Sequence, residues 1–330
     1  MIIAGDIGGT KTVIALYERT TGGLHQAGER VFHSAQYNAL EAILSEFLRD
    51  YPGLKLENAC FGIAGAIIDG RVHTTNLTWD VSEAALEAAL KCPVKLLNDL
   101  QATAYGVRYL SPDELERLNS GAAVKHKGNL AVIAAGTGLG EAFLWWDGMR
   151  HHPTATEGGH ADFAPRTEQE IDLLRYLHKQ FGNHISYERV LSGPGFYNVY
   201  CFLRDSGFAP EPQWLKEALG GAQDHSAVIS EAGLAGKSPL CAETLRMFAS
   251  IYGAEAGNMA LRCMAMGGVF VAGGIAPKII KALRDQDVFM ESFTAKGRLS
   301  EVLKSIEVNV AMNPHTPLIG AAHFALNMSL

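Results

Sequence analysis

Twice in this sequence an apolar, strand-forming run meets a glycine-rich turn and is followed at once by a second β-rich run. Ile2-Ile3-Ala4 leads into Gly5-Asp6-Ile7-Gly8-Gly9-Thr10 and then Thr12-Val13-Ile14-Ala15-Leu16. Leu130-Ala131-Val132-Ile133-Ala134 leads into Gly136-Thr137-Gly138-Leu139-Gly140 and then Ala142-Phe143-Leu144-Trp145-Trp146. A dinucleotide-binding fingerprint must run into a helix, and the β-branched residues after the first turn oppose that. What remains is a hairpin whose glycines let backbone N–H groups approach an anionic oxygen, with the Thr10 hydroxyl as a further donor and Asp6 placed to orient a metal-bound water. The repetition of the unit predicts two related domains, with the two turns facing one another across a cleft.

The remainder of the chain fits that division, since 330 residues at about 150 per domain give about two domains. Arg30-Val31-Phe32 continues the opening meander of strands. Leu40, Ile43, Leu44, Phe47 and Leu48 have helical spacing, with Asn38 and Glu41 spaced as a capping box and Pro52-Gly53 closing the segment. A buried strand follows at residues 59–64, Ser82 caps an Ala/Leu-rich helix, and Val94-Lys95-Leu96-Leu97 is a strand running into Asn98-Asp99. Strands alternating with helices predict α/β layers. Ser111-Pro112-Asp113-Glu114 has the pattern of a helix start, and the domain change is placed near residue 110. Further on, Thr167 with Glu170 caps another helix, a long one covers about 241–262, and Val269-Phe270-Val271-Ala272 is a core strand. The short helix after Asn313-Pro314-His315-Thr316-Pro317 must dock elsewhere. The expected domains are a small α/β domain of residues 1–110 with 311–330, and a large one of residues 111–310.

Composition removes several functional classes. With 48% hydrophobic and 19% charged residues the chain can bury a core, which excludes disorder. A net charge of −7 gives no drive towards a polyanion, so nucleic acid is not an expected partner. The five cysteines are scattered and never form a C-x-x-C pair, which reads as a reducing compartment. The opening strand lacks a basic leader, so a cytoplasmic location is expected. The apolar stretch 130–146 is broken by glycines and Glu141, which suits two strands rather than a membrane span.

Polar residues concentrate at a few places. Asn98-Asp99 ends a strand, putting an amide and a carboxylate at the carboxyl-end rim where α/β proteins bind ligands, although an Asp here is also commonly a helix N-cap. Glu157-Gly158-Gly159-His160 sets an acid and an imidazole on one tight turn, and Glu188 precedes Leu191-Ser192-Gly193-Pro194-Gly195. Gly236-Lys237-Ser238 imitates the end of a P-loop, but Glu231 stands where the first glycine is required.

Taken together, the set resembles the bacterial glucokinase family, within the actin, hexokinase and chaperone ATPase superfold. The GDxGGT and AGTGLG loops, the Gly273-Gly274 strand end, Thr75-Asn76-Leu77-Thr78-Trp79, Asn98-Asp99, Glu157 to His160 and Glu188 all occur in the family's order. The resemblance implies two ribonuclease H-like domains, phosphorylation of glucose to glucose 6-phosphate with ATP and Mg²⁺, and a homodimer. It implies that Asn98, Asp99, Glu157, His160 and Glu188 hold the glucose hydroxyls, with Asp99 as general base. Asp6, Gly8, Gly9, Thr10, Lys11, Gly136, Thr137, Gly138, Gly273 and Gly274 would hold the nucleotide, and Asp6 the Mg²⁺ through water. The chemistry agrees: phosphoryl transfer needs positioning, charge neutralisation and a carboxylate for the attacking hydroxyl's proton.

Two departures stand out. Lys11 replaces the family's Asn, and it reads either as a phosphate contact or as a solvated lysine. Residues 161–180 contain no cysteine, so the structural zinc of the related repressor and kinase family is not expected. The rival readings are a kinase for another hexose or amino sugar, a sugar-sensing transcription regulator, which would need a DNA-binding module, and a nicotinamide-dependent oxidoreductase.

Overall fold

The computed structural model describes residues 1–74, 77–119 and 127–328. Thr75 and Asn76, from the signature quoted above, lie outside the described residues. The chain divides into two compact units, Met1–Glu114 with His152–Ala155 and Asn313–Leu330, and Leu115–His151 with Thr156–Met312.

In the first unit β1 (Ile2–Ile7), β2 (Lys11–Thr20) and β3 (Gly23–His33) form an antiparallel meander, followed by α1 (Leu40–Leu48). Then come β4 (Asn58–Ile63), a small hairpin of β5 (Arg71–His73) and β6 (Asp80–Ser82), α2 (Glu83–Leu90), β7 (Val94–Asn98) and α3 (Asp99–Gly106). The sheet order is β3-β2-β1-β4-β7, with β4 parallel to both neighbours and buried along its whole length. Burial on both faces is what a central parallel strand requires.

The second unit repeats this plan. β8 (Leu115–Arg117) precedes β9 (Leu130–Ala135), β10 (Leu139–Trp146) and β11 (His151–Thr156), whose residues 152–155 are grouped with the first unit above. A helical block of α4 (Glu168–Phe181), α5 (Gly193–Asp205), α6 (Gln213–Gly221), α7 (His225–Leu234) and α8 (Pro239–Cys263) leads to β12 (Gly268–Ala272). Short helices α9 (Ile280–Arg284), α10 (Val288–Thr294) and α11 (Ser300–Lys304) precede β13 (Val308–Ala311). The sheet runs β11-β10-β9-β12-β13-β8, so its first five strands reproduce the order of the first sheet. Residues 130–146 are therefore two strands about a glycine turn. Among the described residues no helix is long and apolar enough to cross a membrane. Helix α8 is buried on nearly every side, packed by α5, α7 and α10, and forms the spine of this unit.

The chain then returns to the first unit as α12 (Thr316–Asn327), which lies on α3, β1 and β4. Leu318, Ala321, Ala322 and Ala325 pack on Ile2, Ala4, Cys60 and Ala102. These small side chains let the two helices approach until a Cβ at Gly320 would collide with the Ala102 carbonyl, and one at Gly106 with that of Thr316.

Two sequence expectations are corrected. Helix α1 starts after Ala39 with no side-chain cap, so Asn38 and Glu41 do not form a capping box. Residues 112–114 make only a single 3₁₀ turn, Pro112–Glu114, although Ser111 N and Oγ both donate to Glu114 Oε2, at 2.8 and 2.9 Å. The residues that follow are needed as edge strand β8, paired with β13. The caps at Ser82 and Thr167 are as expected, with their hydroxyls accepting from Ala85 N at 3.2 Å and Glu170 N at 3.2 Å.

The helix crossing yields a first prediction. Gly320→Ala must push α12 off α3, and overpacking of this kind costs about 1–3 kcal/mol. Urea unfolding should show a lower midpoint with an unchanged slope; an unchanged midpoint would mean that the crossing is not close.

Candidate active site

The first phosphate-type turn is built from backbone. Between β1 and β2, Gly8 N donates to Lys11 O at 3.0 Å, and the buried Ser34 clamps the turn from the end of β3. Ser34 Oγ donates to Gly8 O at 2.7 Å, and Ser34 N donates to Thr10 O at 3.1 Å. Thr10 and Lys11 are exposed beside the turn, leaving both side chains open to a ligand.

Asp6 sits in β1 next to this turn, in register with Gly62 of β4. Burial first, and then the nearby Asp99 carboxylate, raise its carboxyl from 3.8 to about 6, while Lys11 and His315 oppose the rise. The structure thus brings Asp6 and Asp99 together. Asp99 opens α3, and the capping is done by its neighbour. Asn98 Oδ1 accepts from Leu100 N at 2.9 Å, its N–H donates to Gln101 Oε1 at 3.1 Å, and its Nδ2 donates to Gly65 O at 3.1 Å. The reading of Asp99 as a helix N-cap is therefore corrected: Asn98 caps α3, and Asp99 is its first residue.

In the second unit the Gly136-Thr137-Gly138 turn joins β9 to β10, closed by Gly136 N donating to Gly138 O at 2.8 Å. Glu188 lies against it, Oε2 accepting from Leu139 N at 2.9 Å. Glu157 and His160 stand exposed on the 3₁₀ turn Gly158–His160, where His160 N donates to Glu157 O at 3.0 Å. Tyr187 N donates to Ala161 O at 3.0 Å, which ties this turn to the segment carrying Glu188. The three polar residues therefore share one backbone framework. Gly273 and Gly274 end β12 in the open, Gly273 at φ +82°, and Ile275 N donates to Ala135 O at 3.2 Å just before the phosphate-type turn.

A cavity of about 720 Å³ opens beside Gly136, Thr137 and Gly274. Tyr197 and His225 form a stacked pair on its wall, ring centroids 4.4 Å apart. Gly193, at the start of α5, brings a helix N-terminus to the lining, which favours negative charge there, whereas the start of α7 is capped by Asp224, whose carboxylate accepts from Ala227 N at 3.1 Å and also lines the cavity. Lys278 adds a cation. None of Ser34, Tyr197, His225 or Lys278 was expected from the sequence; only the Gly-Pro-Gly that opens α5 signalled the place.

The buried Tyr252 of α8 supports this edge. Ala135 N donates to its hydroxyl at 3.1 Å, and the hydroxyl lies 3.3 Å from Ile133 O and 3.4 Å from Ala272 O. One side chain thus joins the ends of β9 and β12, from which the two glycine segments depart.

Comparison with known proteins gives this geometry a family. A family model described as Glucokinase matches residues 3–328. The glucokinase of Nostoc punctiforme is 41% identical over 337 aligned positions, covering 98% of each chain. The crystal structure of a glucokinase from an Antarctic psychrotroph superposes with a TM-score of 0.87 at 31% identity, over 99% of this chain and 98% of that one. The chain belongs to the glucokinase family. It is, accordingly, a sugar kinase built from two actin-like ATPase domains. A ROK family glucokinase from Streptomyces griseus, solved in complex with glucose and AMPPNP, shares the fold with a TM-score of 0.65 at 20% identity, covering 99% of each chain.

The Asp6 environment has a pH signature. The folded protein holds the Asp6 proton more tightly than the unfolded chain, so this contribution to stability is complete below about 3.8 and lost as pH rises to about 6. Asp6→Asn removes the penalty, so its gain in Tm over the native protein should be larger at about pH 7 than at about pH 4. Equal shifts at both pH values would contradict the desolvated setting.

Proposed function

We propose that this protein transfers the γ-phosphoryl group of ATP to the 6-hydroxyl of glucose, giving ADP and glucose 6-phosphate. The observation that carries the reading is the Asp99 carboxylate, next to Asp6 at a glycine phosphate turn and at the carboxyl end of β7.

In this reading Asp99 accepts the proton of the attacking hydroxyl, so that the oxygen can bond to phosphorus as the bond to the ADP oxygen breaks. Asn98, Glu157, His160 and Glu188 hold the other hydroxyls. A buried polar group left unpaired costs about 1–3 kcal/mol, which is how several converging groups reject the wrong sugar. The turns Gly8-Gly9-Thr10 and Gly136-Thr137-Gly138 offer N–H groups to the phosphates, with Lys11 beside the first. Gly273 and Gly274 border the adenosine side, and the stacked Tyr197 and His225 offer a flat face to the base.

The residues also fit Mg²⁺. Among the described residues no group of three or more His, Cys, Asp and Glu is arranged to hold a metal, whereas Asp6 supplies a hard carboxylate oxygen near the phosphate turn. One carboxylate, with waters and phosphate oxygens completing the shell, is a usual Mg²⁺ arrangement, and Asp6 would hold such an ion through water. The bound ion would neutralise phosphate charge. Supply of glucose 6-phosphate to glycolysis, a cytoplasmic location and a homodimer belong to the same reading and rest on family resemblance.

Asp99→Asn keeps the shape and removes the base. Turnover with saturating glucose and ATP should fall about 10² to 10⁴-fold, with glucose still bound in a calorimetric titration. Near-native kcat would take the base role away from Asp99.

A further inference from the structure

Behind the turn that carries Glu157 and His160 lie two acidic residues with no part in the chemistry above. Glu141 projects from β10 and Glu255 from the middle of α8, with relative exposures of 2% and 0%. Their carboxyl groups are close enough for their charges to repel each other. One cation serves both: Arg262 Nη1 is 2.6 Å from Glu255 Oε1 and 4.0 Å from Glu141 Oε2. Asn258 Nδ2 donates to Glu255 Oε2 at 2.8 Å and to the Tyr187 hydroxyl at 3.1 Å. Lys296, from the segment after α10, donates to Asn258 Oδ1 at 2.6 Å and to Ala254 O at 3.0 Å, and its charge also acts on Glu255. The remaining oxygen, Glu141 Oε1, is fully covered and has no hydrogen-bond partner.

Two buried carboxylates with one half-exposed guanidinium in contact and Lys296 farther off cannot both remain ionised cheaply, because desolvation and mutual repulsion act together. One proton between them converts the repulsion into a hydrogen bond and leaves one net charge for Arg262. Burial first, and then the Glu255 carboxylate, push the Glu141 carboxyl well above the usual carboxylate range, against the pull of Arg262.

The pair is mechanically joined to the sugar-type turn. Thr156 Oγ1 donates to Glu141 O at 2.9 Å and accepts from Gly158 N at 3.1 Å. Gly158 packs so tightly on Glu141 Oε2 that any Cβ would collide with it. On the other side, Tyr187 meets Asn258 and Glu255 through its hydroxyl and precedes Glu188 directly. Any separation of the two carboxylates therefore presses on the Gly158–His160 turn and on the Tyr187–Arg189 turn together.

We propose that Glu141 and Glu255 hold a single proton between them, and that the protonated pair positions the turns bearing Glu157, His160 and Glu188 for the sugar. They are positioning residues, and the claim about the sugar rests on the function proposed above. Loss of the shared proton weakens glucose binding and leaves phosphoryl transfer in the bound complex intact.

The test is the pH dependence of KM for glucose and of kcat, measured on the full chain with saturating Mg-ATP. In the native protein KM should climb as the pH is raised from neutral to alkaline, by up to about tenfold per pH unit, while kcat stays level. In Glu141→Gln, which carries no titrating proton, KM should be flat over the same range. Parallel pH profiles for the two proteins would overturn the proposal. Infrared difference spectra between neutral and alkaline pH supply a readout without sugar: a protonated carboxyl band that disappears at alkaline pH in the native protein and is missing from Glu141→Gln and Glu255→Gln. Absence of that band from the native protein would overturn the shared proton even if neither variant folds. An unchanged glucose KM in Glu157→Ala would instead remove the sugar from this turn and the positioning claim with it, while the band would still establish the shared proton.

Discussion

Each unit depends on one strand that is hydrogen-bonded along both edges. β1 pairs antiparallel with β2 and parallel with β4, and β9 pairs antiparallel with β10 and parallel with β12. The antiparallel partner must return at once, so the glycine turn is pinned at the end of the strand. The parallel partner ends at the same edge and delivers its own following residues there. In the second unit these are Gly273 and Gly274. In the first, β7 extends the same edge and delivers Asn98 and Asp99 to it. Ligand groups at the carboxyl ends of strands, beside helix N-termini, follow from this pairing.

The parts of this plan that are local were legible in the sequence. Glycine turns followed by β-branched runs, the Ser82 and Thr167 caps and the long α8 pattern all depend on residues a few positions apart. The failures are also physical. Asn38 and Glu41 have capping spacing, but the chain enters α1 through an extended Ala39. Ser111 and Glu114 do form their bonds, yet the chain continues into an edge strand because β13, about 190 residues later, offers a partner. The clamps of the site were invisible for the same reason. Ser34 bonds to Gly8, 26 positions away, and the Tyr252 hydroxyl to Ala135, 117 positions away. No local pattern marks a serine or tyrosine for such a contact.

The candidate site residues were named through motif and resemblance, and their electrostatics emerged only with the fold. Asp6 and Asp99 are distant in sequence, and burial makes their charges interact. Glu141 looked like a mere interruption in an apolar run, but it faces Glu255 from the central helix. Both carboxyl pairs hold charge where solvent is scarce, a cost that folded proteins tolerate where function requires perturbed protonation.

The most direct measurement of the account is ADP release with Mg-ATP across glucose, mannose, fructose, N-acetylglucosamine and no sugar. Turnover should be strong with glucose and slight with the other sugars or without sugar. Turnover that ignores the sugar, or a clear preference for a sugar other than glucose, would contradict it.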